Sequence, residues 1–354
     1  MFIINEQDKI LNMVTRDNDI LNQAIEFFGK EVNINIAMSP QQILQEGKRI
    51  DTVLRIDFFG KTAEYWVEVK TTVTNITAGQ IAHQFEGNVA KWILITRYVQ
   101  PQIAKILREL NIQFIGTAGN AYINDPPNFI FIRGNKTQQP IDRKPEEGML
   151  GRAGIHVIFA LLCKRELCNA PYRDIATQAL VALGTVAGVM KDLRVQGFLV
   201  EDKEKQHRLI RKKELFDKWM TAYAEKLRPK ILIGRYKATK PDFWQQAEID
   251  RFDAQWGGEV AAYRLTHYIK PEIVTIYTRK PIHNLTLDLK LRQDKNDDIE
   301  LRERFWKCEN PELDKTIVPP ILVYADLMAT GDTRNIETAK TIYSDYIQRT
   351  LVEE

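Results

Sequence analysis

The chain has 354 residues, 44% hydrophobic and 27% charged, with a formal net charge of only +3. That is the balance of a globular protein of two or three domains, so any basic nucleic-acid surface has to be local. No run approaches about 18 apolar residues, which argues against a membrane-spanning helix.

The start, MFIINEQDKILNMV, has neither the basic region nor the long apolar core of a secretion signal. The three cysteines, Cys163, Cys168 and Cys308, have no metal-ligand spacing. Their odd number argues for a reducing interior, so a cytoplasmic location is expected.

Residues 1–135 read as mixed α/β. Ile20, Leu21, Ala24, Ile25 and Phe28 recur at helical spacing, and Glu26 points off that stripe. A strand is expected over 33–38. Residues 47–71, GKRIDTVLRIDFFGKTAEYWVEVKT, read as two strands joined by a turn at Gly60-Lys61. A helix over 81–89 carries His83 and Gln84, a strand follows over 91–99, and a helix from Pro101 to Leu110 has proline in its first turn. From 112 a strand enters a turn at Gly119-Asn120 and returns. A helix between two later strands obliges a parallel crossover.

The hairpin carries the candidate chemistry. With its turn centred near 59–60, Asp51 lies opposite Glu68, and side-chain alternation puts Trp66, Glu68 and Lys70 on one face. Two carboxylates and an ammonium at the end of an apolar hairpin are costly to bury unpartnered, and a divalent cation suits them. Mg²⁺ takes one or two protein carboxylates with waters and a phosphate. The pattern resembles the PD-(D/E)XK nuclease superfamily, with Asp51 as the lone aspartate, Ile50 where proline is frequent, and Glu68-Val69-Lys70 as the E-x-K. The resemblance implies a restriction-endonuclease-like fold, Asp51 and Glu68 as Mg²⁺ ligands, and Lys70 orienting a water or steadying charge on phosphorus. The plainer reading is a solvated strand face with a Glu–Lys pair. Gln84 and Asn120 carry the same ambiguity between phosphate contact and ordinary polar surface.

His83, His156, His207, His267 and His283 are isolated in sequence, which argues against zinc. No P-loop, G-x-G-x-x-G or G-x-S-x-G is present. Residues 136–148 are a polar, Pro/Gly-punctuated linker.

Residues 149–228 read as a helical pair followed by a basic hairpin. The second helix carries Val186, Val189, Met190 and Leu193 as its apolar stripe and ends at Gly197. FLVED and HRLIRK form the hairpin. The arrangement resembles winged helix DNA-binding domains, which implies a helix in the major groove of double-stranded DNA. Thr185, Lys191, Arg194, Lys203, Lys205, Arg208, Arg211 and Lys212 are then the candidate DNA contacts, with salt-dependent affinity. Gly184 and Gly188 fit either close approach to DNA or helix packing, and a solvated charge run is the plainer reading of the hairpin.

Residues 229–354 form an α+β unit. A helix is expected from Trp256-Gly257-Gly258-Glu259, strands at IVTIYT, NLTLDLKL and PPILVYADL, and a terminal helix after Gly331-Asp332. Asp326, Asp332, Arg334, Asn335 and Glu337 form a polar cluster that fits a helix cap or a site. WGGEVAAYRLT, PEIVTIYT and PPILVYADLMATGDTRNIETA resemble the AbiEi-type antitoxins of type IV toxin–antitoxin systems. The resemblance implies a transcriptional regulator that binds operator DNA through its winged helix. It also implies a nucleotidyltransferase-type toxin encoded nearby without direct binding, and no membrane partner. An oligomer is compatible with it. The leading expectation is therefore an AbiEi-like regulator. The alternative is a Mg²⁺-dependent endonuclease using Asp51, Glu68 and Lys70, and a degenerate scaffold is a third class.

Overall fold

The structure is a computed structural model that describes residues 6–39, 43–45, 48–58, 60–85, 87–135, 148–202, 205–279, 281–294, 298–307 and 314–351. The chain divides into two units, residues 1–143 and 144–354. Most of the expected linker, as well as Lys203 and Cys308, lies outside the described residues.

In the first unit a long helix, α1 (Glu6–Val32), precedes β1 (Asn35–Ser39) and a small hairpin of β2 (Ile43–Gln45) and β3 (Lys48–Ile50). The main hairpin joins β4 (Thr52–Phe58) to β5 (Lys61–Lys70). There follow α2 (Asn75–Gln84), β6 (Trp92–Thr96), α3 (Pro101–Glu109), β7 (Gln113–Gly116), β8 (Ala121–Asp125) and β9 (Asn128–Ile132). Seven strands make one sheet in the order β1-β4-β5-β6-β7-β8-β9. β5, β6 and β7 run parallel, connected through α2 and α3, and the flanking pairs are antiparallel.

Alternation along β5 divides the core. Tyr65, Val67 and Val69 pack with Ile20, Leu21, Ala24 and Phe28 of α1. Trp66 faces the other way, with Trp92, Leu94 and Phe114 beneath α2 and α3. β6, covered on both faces, is buried throughout. The main hairpin turns at Gly60, whose φ of +88° suits glycine and whose N–H donates to Asp57 Oδ1 at 2.8 Å. The helix expected over 81–89 instead starts at Asn75. Thr74 caps it, its hydroxyl accepting the Thr77 N–H at 3.3 Å, a start signal obscured in sequence by Gly79.

In the second unit α4 (Arg152–Cys163), α5 (Tyr172–Ala179) and α6 (Leu183–Val195) precede a hairpin of β10 (Leu199–Glu201) and β11 (His207–Leu209), then α7 (Lys212–Ala222). The stripe Val186, Val189, Met190 and Leu193 is buried. Next come β12 (Leu232–Lys237), β13 (Gln255–Gly257), α8 (Gly258–Thr266), β14 (Val274–Thr278), α9 (His283–Asp288), β15 (Arg292–Gln293) and β16 (Ile299–Glu303). The order closes with α10 (Pro320–Thr330), α11 (Thr333–Ile342) and α12 (Gln348–Leu351). The second sheet runs β13-β14-β16-β12-β15, with β14 and β16 parallel. Aromatic packing joins the helices to this sheet: Phe159 of α4 lies 5.3 Å from Trp219 of α7, 5.1 Å from Phe305 and 5.4 Å from Trp306.

Two segments expected as strands are helices. NLTLDLKL alternates in sequence, but α9 buries Leu285 and leaves Leu287 62% exposed. PPILVYADL has no helical stripe because α10 is buried on all sides from Ile321 to Met328, and Pro320 sits at its first turn.

Candidate carboxylate site and basic hairpin

The β4–β5 register pairs Thr52 with Val67, which places Asp51 across from Glu68. The Asp51 N–H donates to Val67 O at 3.0 Å, and the Val69 N–H donates to Asp51 Oδ2 at 2.9 Å. Backbone bonds on both sides therefore fix the Asp51 carboxylate against β5. Glu68 is 7% exposed and ion-paired to Lys70. Its other oxygen accepts from Gln84 Nε2 of α2 at 2.9 Å. Burial raises the Glu68 carboxyl above the ordinary carboxylate range, opposed by Lys70 and Gln84 and reinforced by the charge of Asp51. The structure thus brings Asp51, Glu68, Lys70 and Gln84 together on the face of the sheet that carries α2.

Sequence reasoning left Gln84 between phosphate contact and solvated surface, and its bond to Glu68 shows a third use. Thr96 was missed altogether. It pairs with Lys70 across the parallel β5–β6 register, and its buried hydroxyl has no hydrogen-bond partner among the described residues. Glu26 stays apart, paired with Lys30 at 2.5 Å on an exposed helix face.

The donor set of this site is oxygen only. Among the described residues no three or more His, Cys, Asp or Glu side chains gather as a metal site. Two carboxylates fit Mg²⁺, which keeps most of its waters, better than a metal that needs a full protein cage.

The hairpin of the second unit is less uniformly basic than its sequence. Lys191, Lys205 and Arg208 are exposed, and Thr185 is half-buried. Arg194 reaches Tyr172 Oη at 3.4 Å and His207 Nε2 at 3.1 Å, tying α6 to α5 and β11. Arg211 donates to Glu214 at 3.0 and 2.6 Å, so its charge is largely offset locally. Lys212 opens α7 and is half-buried. The exposed first half of α6 carries no charge: Leu183 is 46% exposed beside Gly184, Ala187 and Gly188. A β-carbon at Gly184 or Gly188 would meet nothing within 4 Å, so neither glycine serves helix packing.

The C-terminal polar cluster separates into two parts. Asp332 caps α11, accepting the Asn335 N–H at 3.2 Å, while Arg334 pairs with Glu272 at 2.9 Å and Asn335 donates to buried Glu259 at 2.9 Å. Asp326 instead belongs to a buried network that sequence reasoning did not see. It accepts from Tyr223 at 2.8 Å, Tyr277 at 2.8 Å and Arg228 at 3.0 Å. Glu300 holds Arg302 at 2.6 Å and is paired with Arg228 and Arg235. Burial alone would raise the Glu300 carboxyl, but these arginines outweigh it and hold it below the usual range. Every strong donor here has an acceptor, which marks the network as structural.

Fold and sites together define a mixed α/β protein of two units, with a two-carboxylate site in the first and a helix–hairpin surface in the second. Among the described residues no helix is long and apolar enough to cross a membrane. Residues 208–348 match the model of a family described as "Transcriptional regulator, AbiEi antitoxin, Type IV TA system", which supports the AbiEi resemblance over that span. The match begins inside β11, so α4, α5 and α6 lie outside it. No curated protein and no solved structure matches the chain.

Proposed function

We propose that this chain is a DNA-binding transcriptional regulator, the antitoxin of a type IV toxin–antitoxin system, acting in the cytoplasm on double-stranded operator DNA. The observation that carries the reading is the family match over residues 208–348, which begins within the two-stranded hairpin that follows three helices in winged-helix order. In this reading α6 enters the major groove. The uncharged first half of α6 lets the backbone come close, and Lys191, Lys205 and Arg208 contact phosphates. Arg194 positions α6 through Tyr172 and His207, and Arg211 contributes less because Glu214 neutralises it. The toxin partner would be a nucleotidyltransferase-type protein encoded nearby, acting without direct contact.

One observation favours a second reading, a Mg²⁺-dependent endonuclease: Asp51, Glu68 and Lys70 converge in register on one face. Asp51 and Glu68 would hold the cation, which when bound supplies Lewis acidity at phosphorus. Lys70 would leave Glu68 to orient a water, and Gln84 would keep Glu68 in place.

The test combines two assays on the full chain. A gel shift with the DNA upstream of its own gene, repeated across salt concentrations, reports binding. Incubation of supercoiled plasmid with Mg²⁺, Mn²⁺ or EDTA, beside Glu68→Ala, reports cleavage. Salt-sensitive binding that survives Glu68→Ala without nicking supports the regulator. Metal-dependent nicking lost in the variant replaces it with the nuclease, and absence of both leaves a scaffold.

A further inference from the structure

The sheet of the first unit ends on an aromatic surface. On β9, Phe129 is 62% exposed and Phe131 is half-buried. Alternation puts both on the face that carries α3. Each meets Tyr122 of β8 edge to face, with ring centroids 6.3 Å apart. Tyr122 is itself held, its hydroxyl donating to Asn111 Oδ1 at 2.9 Å. Two guanidiniums flank Phe131: Arg108 of α3 lies over its ring at 4.1 Å, and Arg133 lies over it at 5.9 Å. Both arginines are exposed, and neither pairs with a carboxylate among the described residues. A lone exposed phenylalanine is ordinary surface. Rings beside unpaired planar cations are different, because nucleic-acid bases stack on both while the charge meets phosphate. Register places this surface on the carboxylate side of the sheet. Glu68, Leu94, Phe114, Tyr122 and Phe131 are successive partners across five strands. Four strand spacings separate Phe131 from Glu68, about 19 Å along the sheet.

We infer that Phe129, Phe131, Arg108 and Arg133 bind single-stranded nucleic acid. Phe129 stacks against a base, the Arg108–Phe131 stack offers a second planar face, and Arg133 meets a phosphate. A duplex keeps its base faces inside the stack, so an exposed ring of this kind selects an unpaired strand. The surface lies in the first unit and needs no cation, so the inference stands under either reading of the function.

The test is fluorescence anisotropy of the full chain in EDTA, across salt concentrations. The probes are labelled oligothymidine, an abasic oligomer of the same length, and oligoglutamate of matched charge. Oligothymidine should bind saturably, and the other two at least about tenfold more weakly, because neither offers a base to stack. Phe129→Ala should weaken oligothymidine binding about tenfold. That ring is exposed, so its removal leaves the core intact, and the melting temperature checks this. Arg133→Ala should lower the salt slope by about 0.7, one phosphate contact on a single strand. No saturable binding, equal binding of the abasic oligomer, or undiminished affinity in both variants overturns the inference. Equal binding of oligoglutamate also overturns it and assigns the surface to an acidic protein.

Discussion

Alanine at Gly257 is expected to destabilise the second unit by about 3 kcal/mol. The backbone there, at φ −122°, suits any residue, and the constraint is space. A β-carbon would lie 2.5 Å from Tyr277 Cε2, 2.8 Å from Cδ2 and 3.3 Å from Asp326 Oδ2. The ring cannot step aside cheaply. Its hydroxyl is bonded to Asp326 at 2.8 Å and Tyr223 at 2.6 Å, and it packs 5.3 Å from Trp306. Overpacking a filled core costs ~1–3 kcal/mol, and loss of one bond in a buried network adds ~1–2 kcal/mol. In a unit of this size each kcal/mol lowers the melting temperature by ~2–4 °C, so a fall of ~6–12 °C is expected by differential scanning calorimetry. The control is Gly188→Ala, where the new methyl meets nothing within 4 Å. Alanine is better than glycine by ~1 kcal/mol inside a helix, so this variant should melt at or above the wild type. A Gly257→Ala protein that melts within ~1 °C of wild type refutes the steric reasoning. The same Gly188→Ala protein should bind DNA more weakly in a gel shift if α6 lies against the groove.

The Glu68 carboxyl titrates higher folded than unfolded, so its contribution favours folding at low pH and is lost as pH rises through the folded value. Glu68→Gln should flatten that slope in melts of the first unit taken across pH, and an unchanged slope would reject burial as the cause. Glu300 has the opposite sign: its stabilisation is present above the unfolded carboxylate value and lost as pH falls through the lower folded one. Glu300→Gln should cost ~3–5 kcal/mol near neutrality by leaving the buried Arg302 without its carboxylate, measured by denaturant unfolding. Lys205→Ala and Arg208→Ala should each reduce the salt dependence of DNA binding by about one phosphate contact, whereas Arg211→Ala should change it less.

The carboxylate pair was legible because a hairpin is a local object. Gly60 marks the turn, and counting outward from it fixes the partners of Asp51 and Glu68. The α6 stripe was legible for the same reason, since its period is written in consecutive residues. What stayed hidden depends on distant partners. Asp326 meets Tyr223 across 103 positions and Arg228 across 98, so nothing near Asp326 announces its role. α10 hid because a helix buried on every side has no polar face to give it a period. Gln84 hid because its partner lies on a strand whose packing against α2 no local pattern encodes.

The shared aromatic packing of Phe159, Trp219, Phe305 and Trp306 has an evolutionary reading. A region that recognises DNA is usually the part a lineage exchanges when it acquires a new target. Here an exchange of residues 152–222 alone would take Phe159 away from Phe305 and Trp306 and uncover those rings. If α6 and the hairpin contact DNA as proposed, retargeting would then proceed through point changes on their outer surface, or by transfer of the whole second unit at once.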